Sequence, residues 1–285
     1  MRRLIFCVLA LACIEPVFGQ GERFKPSFNE PFNLPREFLR TQWFLGFKFG
    51  GNLSPASSKT SVTGFSPINY DAEELEKDFS PEWGGHAGID VTFYTKGFSF
   101  SVQPNYRRQA YSYQTSFEWQ GDANTYSSDQ NIEQRLDYVD LPLLIKYDLF
   151  GRSIRPFVGA GLYYSILTTA EKRVKIRSSD TSNDVPVDLG TQSFTLGNKA
   201  SFKDNVTGWQ VGAGFSWDPG NVRLILDVVY RDSFGGVSDD NAQFAENQLA
   251  GIGDVDDEIS LRNVNVSLSF LFPLRFISDD FTSNF

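Results

Sequence analysis

Residues 263–272 read NVNVSLSFLF, with Val264, Val266, Leu268, Phe270 and Phe272 on one parity and Asn263, Asn265, Ser267, Ser269 and Leu271 on the other. A period of two is a strand. The constraint on the fold lies in the chemistry of the two sides. One is bulky and apolar, and the other is small and polar where the wet face of a soluble sheet usually shows Lys, Glu and Thr. Residues 208–217 repeat the pattern, with Trp209, Val211, Ala213, Phe215 and Trp217 opposite Gly208, Gln210, Gly212, Gly214 and Ser216. A chain built from such ribbons has to find a greasy surrounding for one side and an enclosed, sparse space for the other.

Eight segments carry this alternation. They are Trp43–Gly50, His86–Tyr94, Phe98–Arg107, residues 136–148 (LDYVDLPLLIKYD), residues 155–167 (RPFVGAGLYYSIL), residues 208–217, Val222–Arg231 and residues 263–272. Pro142 lacks an N–H for the ladder, so a bulge or irregularity is expected there. The connections alternate in length: long at about 53–82, 112–134, 169–205 and 232–259, short at 94–97, 148–153 and 218–221. In the last of these, Asp218-Pro219-Gly220-Asn221, proline presets the turn and glycine accepts positive φ. Long and short connections therefore gather at opposite ends, the pattern of an outer-membrane barrel with short periplasmic turns, four long outer loops and both termini on the periplasmic side. The expected fold class is all-β, an eight-stranded antiparallel transmembrane β-barrel over 41–276. The aromatics Trp43, Trp83, Tyr106, Tyr147, Tyr164, Trp209, Trp217, Tyr230 and Phe272 fall near strand ends, as interfacial girdles do.

The start of the chain fits export. Arg2 and Arg3, an apolar run from Leu4 to Ala12 and the small-residue site Val17-Phe18-Gly19 read as a secretory signal peptide over 1–19. A lipoprotein site at Ala10-Leu11-Ala12-Cys13 is the weaker alternative, because the position three before Cys13 is Ala rather than Leu. Both cysteines, Cys7 and Cys13, lie in the signal, so a chain cut after Gly19 has no disulfide, thiolate site or cysteine nucleophile. Removing Arg2, Arg3 and Glu15 takes the formal charge from −9 to −10, which disfavours nucleic acid as a partner. Residues 20–40 hold three prolines and neither period, and read as an irregular periplasmic extension; 277–285 is a tail. No run of about 18 apolar residues follows the signal.

The sparse parity collects Lys48, His86, Asp90, Arg107, Asp140, Lys146, Arg223, Asp227 and Arg231. In a narrow lumen these charges must pair, giving a structural network that fills the interior. The competing expectation is a selective water-filled path, with Gly46, Gly88, Gly159, Gly161, Gly212 and Gly214 leaving room beside the charges. His86 is the only histidine, and without a second histidine or a cysteine it makes a poor metal ligand. A Ser–His arrangement would require a serine placed beside it, and no motif supplies one. No catalytic, cofactor-binding or metal residues are assigned, no cofactor is expected, and the chain is read as a non-enzyme. GDVDDE at 253–258 is acidic but lacks the spacing of a calcium loop. Asn205-Val206-Thr207 is a sequon at the start of a strand and carries no weight. The basic cluster Lys172, Arg173, Lys175 and Arg177 opens the third long connection, where it would meet anionic lipopolysaccharide or simply continue a charged strand.

LDYVDLPLLIKYD followed by RPFVGAGLYYSIL resembles the central hairpin of the PorT-like outer-membrane β-barrel family of Bacteroidetes. The similarity runs more loosely over about 41–272. It implies a barrel and an outer-membrane location; the name-giving member serves the type IX secretion machinery, and most relatives are small barrels. The expected function is a non-enzymatic scaffold for interaction or envelope organisation. Its expected partners are outer-membrane lipid, lipopolysaccharide and envelope or secretion-system proteins. The alternatives are a narrow porin-like channel and a soluble lipocalin-like barrel with the apolar parity inside.

Overall fold

The computed structural model describes residues 41–60, 78–120, 124–150, 154–182, 185–219, 221–239 and 258–274, all within the unit Phe32–Asn284. The expected signal 1–19, extension 20–40 and tail 277–285, and 253–257 of the acidic run, lie outside the described residues. The strands are β1 (Gln42–Leu53), β2 (Ala56–Thr60), β3 (Asp78–Thr95), β4 (Phe98–Val102), β5 (Asn105–Gln120), β6 (Asn124–Asp148), β7 (Ile154–Ser182), β8 (Val185–Gly197), β9 (Asn205–Trp217), β10 (Arg223–Ser233) and β11 (Glu258–Pro273). They form one antiparallel sheet of eleven strands. Its pairings run from β1 through β3, β4 and β5, β6, β7, β9, β10 and β11 and return to β1. β2 adds to the start of β11, and β8 adds to the far half of β7.

Eleven strands replace the expected eight for two physical reasons. The segment expected as one strand over Phe98–Arg107 is interrupted at Gln103-Pro104, and both halves pair with the same neighbours, β3 and β6. The irregularity expected at Pro142 falls on this facing chain instead, and β6 passes through Pro142 without a break. Neither proline has an N–H to give, but both carbonyls are used: Gln103 N–H donates to Pro142 O (3.1 Å) and Ile89 N–H to Pro104 O (2.9 Å). The second reason is that the expected loops at 53–82, 112–134 and 169–205 contain strand: β2 lies in the first, and the other two are largely strand, forming the β5–β6 and β7–β8 hairpins. Their outward residues are charged and hydroxylic, which masks the alternation, while Tyr111, Tyr113, Ile132, Leu136, Ala170 and Val174 pack inward.

Near the short-turn end the bulky parity lies outward. Phe47 is 63% exposed and Leu143 50%, with Trp43, Tyr147, Trp217 and Phe272 around the same end. Trp83, Tyr106, Tyr164 and Trp209 are exposed at the other end of these rows. This orientation overturns the soluble lipocalin-like alternative, which needs the same side chains inside. The inward side is Ser, Thr, Asn, Gln and charge, closed at the turn end by a small cluster of Phe44, Tyr94, Phe157, Ile225 and Leu271.

Beyond Arg108 and Asp137 the chemistry of the two faces reverses. Inside lies an apolar cluster that includes Tyr111, Ile132, Leu136, Val174, Phe202 and Ile259. Outside lie Asn131, Arg173 and Lys175. On β7 one alternation serves both regions: Val158, Leu162 and Ile166 are exposed, while Ala170 and Val174, on the same even parity, are buried. The switch is a one-residue bulge. Asp137 opposes Thr169 and Tyr138 opposes Leu167, leaving Thr168 unpaired. Its hydroxyl donates to Asp137 O (2.8 Å) and so occupies a carbonyl that the bulge disturbs. β3 carries a matching bulge between Glu82 and Gly85, opposite Ala110 and Arg108. A bidentate ion pair marks the same level, from Arg108 Nε and Nη2 to the two carboxylate oxygens of Asp137 (2.8 and 2.9 Å).

Candidate functional site

All nine inward charged or titratable residues picked out of the sequence are buried, at 0 to 7% exposed. Strand pleat and register place them there, because each sits on the parity opposite an exposed apolar row. They divide into clusters, and the sequence alone does not show how.

The first cluster centres on Lys48 of β1. Its Nζ donates to Asp227 Oδ2 of β10 (2.9 Å) and to Gln103 Oε1 (3.2 Å). Gln103 Nε2 passes the link on to Asp90 Oδ2 of β3 (2.7 Å), whose other oxygen accepts from Thr92 (2.6 Å). The second cluster is built on Asp140 of β6. One of its oxygens accepts from Arg107 Nε of β5 (2.5 Å) and from Arg231 Nη1 of β10 (2.8 Å). Arg107 also donates to Asn263 and Asn265 of β11 (3.1 and 2.9 Å). The Arg231 guanidinium lies 3.8 Å from the centroid of the Tyr163 ring. Since β10 is three places from β6 around the ring, and β11 three places from β5, these bonds reach across the interior rather than along one wall. Charge-assisted bonds of this kind are among the strong ones, and in a space away from water their partners are not optional.

Arg223 belongs to a third group at the short-turn end. It pairs with Asp218 (2.9 Å), which also accepts from Arg155 (2.5 Å), and Arg155 in turn donates to Asp148 (3.2 Å). The Arg223 guanidinium stacks 4.5 Å from Phe44 and 4.7 Å from Tyr94. Asp148, Arg155 and Asp218 had no signal as site residues, because they flank short turns where charge is ordinary. Lys146 stands apart. It is buried, its Nζ has no hydrogen-bond partner, and it lies 5.5 Å from the Phe157 ring centroid.

A serine does stand beside His86, contrary to the expectation from motifs. His86 Nε2 and Ser267 Oγ are 3.0 Å apart. Register explains the meeting: His86 is opposite Gly50, and Gly50 is opposite Ser267, so the two side chains close over a glycine. A β-carbon at Gly50 would lie 2.8 Å from the imidazole, so glycine is required there. A nucleophilic dyad needs a group holding the other ring nitrogen, yet His86 Nδ1 has no hydrogen-bond partner. The sequence glycines do not leave open space. Gly208 faces Tyr163 and Gly214 faces Phe157 across β7–β9, and each aromatic ring fills the room its glycine provides. Between the two clusters lies a cavity of about 20 Å³, lined by Lys48, His86, Asn105, Arg107, Gln210 and Ser267 among others. No group of three or more metal-ligating side chains occurs among the described residues.

The basic cluster of β7 is split by the pleat. Lys172 is buried on the inner face, while Arg173, Lys175 and Arg177 are exposed. Asp129 and Glu133 of β6 stand directly opposite Arg177 and Arg173, so this face is mixed in charge rather than basic.

No curated protein matches the chain. Among solved structures, Neisserial surface protein A is 14% identical, with a TM-score of 0.34 over 81% of this chain and 96% of that one. Ail, the attachment invasion locus protein of Yersinia pestis, is 10% identical, with a TM-score of 0.30 over 81% and 99%. The N-terminal β-barrel domain of Pseudomonas aeruginosa OprF is 11% identical, with a TM-score of 0.29 over 82% and 100%. The family described as outer membrane protein beta-barrel domain matches residues 20–239, most of the chain. With strands that expose their apolar rows and enclose their polar ones, the chain belongs to the outer membrane protein beta-barrel domain family, and its place is the cell outer membrane.

Proposed function

We propose that the protein is an eight-stranded transmembrane barrel, β4 and β5 counting as one wall, that acts as a non-enzymatic scaffold for its outer extension. The reading includes a PorT-like relationship, supported by the hairpin of residues 136–167. One observation carries it: the Arg231–Asp140 ion pair and the Arg107–Asn263 hydrogen bond cross the interior between strands three places apart, and the cavity between the two clusters measures about 20 Å³, room for roughly one water molecule. Apolar clusters stand at both ends of that interior. A chain that fills its lumen this thoroughly offers its outer surface, and not its bore, to partners. Those partners are lipid and lipopolysaccharide around the rim and envelope proteins at the hairpins β5–β6 and β7–β8. Absence of catalysis is part of the proposal, because the His86–Ser267 contact lies in the filled interior with Nδ1 unheld.

A narrow channel is the second reading, and the polar atoms without partners along the cavity are what favour it. Planar-bilayer recording separates the two. Purified protein is expected to remain silent at moderate voltage, and steady unitary conductance would overturn the scaffold reading in favour of the channel.

A further inference from the structure

The interior between the two apolar clusters carries four cations, Lys48, Arg107, Lys146 and Arg231, against three carboxylates, Asp90, Asp140 and Asp227. Taking His86 as neutral, one positive charge is left over among these described residues. The unbonded cation is Lys146, buried with its Nζ unpartnered. An uncompensated charge in a closed interior is costly, and it raises the affinity of the site for a counter-charge.

The cavity has donors to receive one. Gln210 Nε2 and His86 Nδ1 are buried without partners, and both side chains line it. The contact between His86 Nε2 and Ser267 Oγ fits either tautomer, and an anion in the cavity would select the one with the ring hydrogen on Nδ1, in which Nδ1 donates to the anion and Nε2 accepts a hydrogen bond from the Ser267 hydroxyl. Lys48 and Arg107 stand in the same wall, each already paired and each adding positive potential. One orphaned acceptor also lines the cavity, Asn105 Oδ1, fixed in orientation because Asn105 Nδ2 donates to Gln103 O (2.7 Å). In that tautomer two donors and two cations face one free acceptor, a balance that favours an anion. The room, about 20 Å³, limits it to a single atom of roughly water size.

We infer that this cavity is a binding site for one small monovalent anion of the halide class, held between His86 Nδ1 and Gln210 Nε2 and balancing the surplus lysine charge. The inference rests on the filled interior proposed above. An interior halide then belongs to the folded state, like a structural ion in a core, and its affinity is part of the stability of the barrel.

The probe is bromide. Crystals grown from detergent and soaked in bromide are expected to show an anomalous peak between His86 and Gln210. Unfolding in urea should occur at higher denaturant in chloride than in gluconate at equal ionic strength, with an effect that saturates as chloride rises. Lys146→Met removes the surplus charge without orphaning a carboxylate and is expected to abolish that saturable difference; Gln210→Leu should weaken it at least tenfold in halide concentration. Identical midpoints in chloride and gluconate, with no anomalous peak, would mean that water alone occupies the cavity and would overturn the inference. A halide peak in a protein that also conducts would leave the site standing and remove only the closed-interior reading.

Discussion

The two halves of this molecule solve opposite solvation problems with the same strands. At the level of Lys48 and Asp227 the outside is Phe, Leu, Val and Trp and the inside is charge, amide and hydroxyl. Beyond Arg108 and Asp137 the inside is an apolar core and the outside carries Arg173, Lys175 and Asn131, as in any water-soluble sheet. In hydrocarbon the backbone is satisfied by ring closure and the side chains that touch solvent must be greasy. In water the hydrophobic effect draws the same residue types inward. The contrast teaches that the alternation identifies a strand, whereas the surrounding medium decides which side becomes the core.

Three experiments press on this contrast. The largest effect is expected from Asp140→Ala, which strands Arg107 and Arg231 in the polar interior; removing one partner of a buried pair costs about 3–5 kcal/mol. Urea unfolding in lipid vesicles measures it, and a loss below about 1 kcal/mol would show that this interior is wetter than its geometry implies. Next is one arginine placed on two outward faces. Leu143→Arg, on the apolar row, is expected to cost about 2–4 kcal/mol if the row meets hydrocarbon. Asn131→Arg, on the outward face of the extension, should fall within about 0.5 kcal/mol of wild type. Equal costs at both positions would erase the distinction between the halves. The smallest effect concerns Asp188 of β8, whose carboxyl is held below the usual carboxylate range by the Gly190 N–H first and Arg177 second. A folded-state value below the unfolded one means that these contacts help the β7–β8 hairpin above the ordinary carboxylate range, and that the help is lost as pH falls through the lowered value. NMR titration of Asp188 checks it, and Arg177→Gln should move the midpoint part of the way back up.

The strand positions at membrane level were legible because each carries four or five bulky residues at strict spacing, as Val139 to Tyr147 do. The outer strands were not, because on β5 and β6 the outward positions are filled with Ser, Gln, Asn and Asp, and turn-forming residue types hide a period of two. Their pairing is decided by neighbours far along the chain: Ile132 meets Val174 only once β6 and β7 are aligned. For the interior, membership could be read from parity, but partnership could not. Lys48 finds Asp227 across 179 residues, and His86 finds Ser267 across 181. Parity says which side a residue takes; register, which depends on bulges such as Thr168, says whom it meets.

The single extra residue at Thr168 has a meaning for assembly. Since the apolar side of β7 changes from outward to inward at that point, this strand carries an internal depth gauge, marking where oil ends and water begins. Sliding the ribbon through the bilayer by even two residues would bring Arg108 and Asp137 into the acyl layer or lift Tyr164 and Ile166 out of it. The height at which this wall sits in the membrane is therefore written into its backbone, and the β5–β6 and β7–β8 hairpins stand at one fixed distance from its apolar rows.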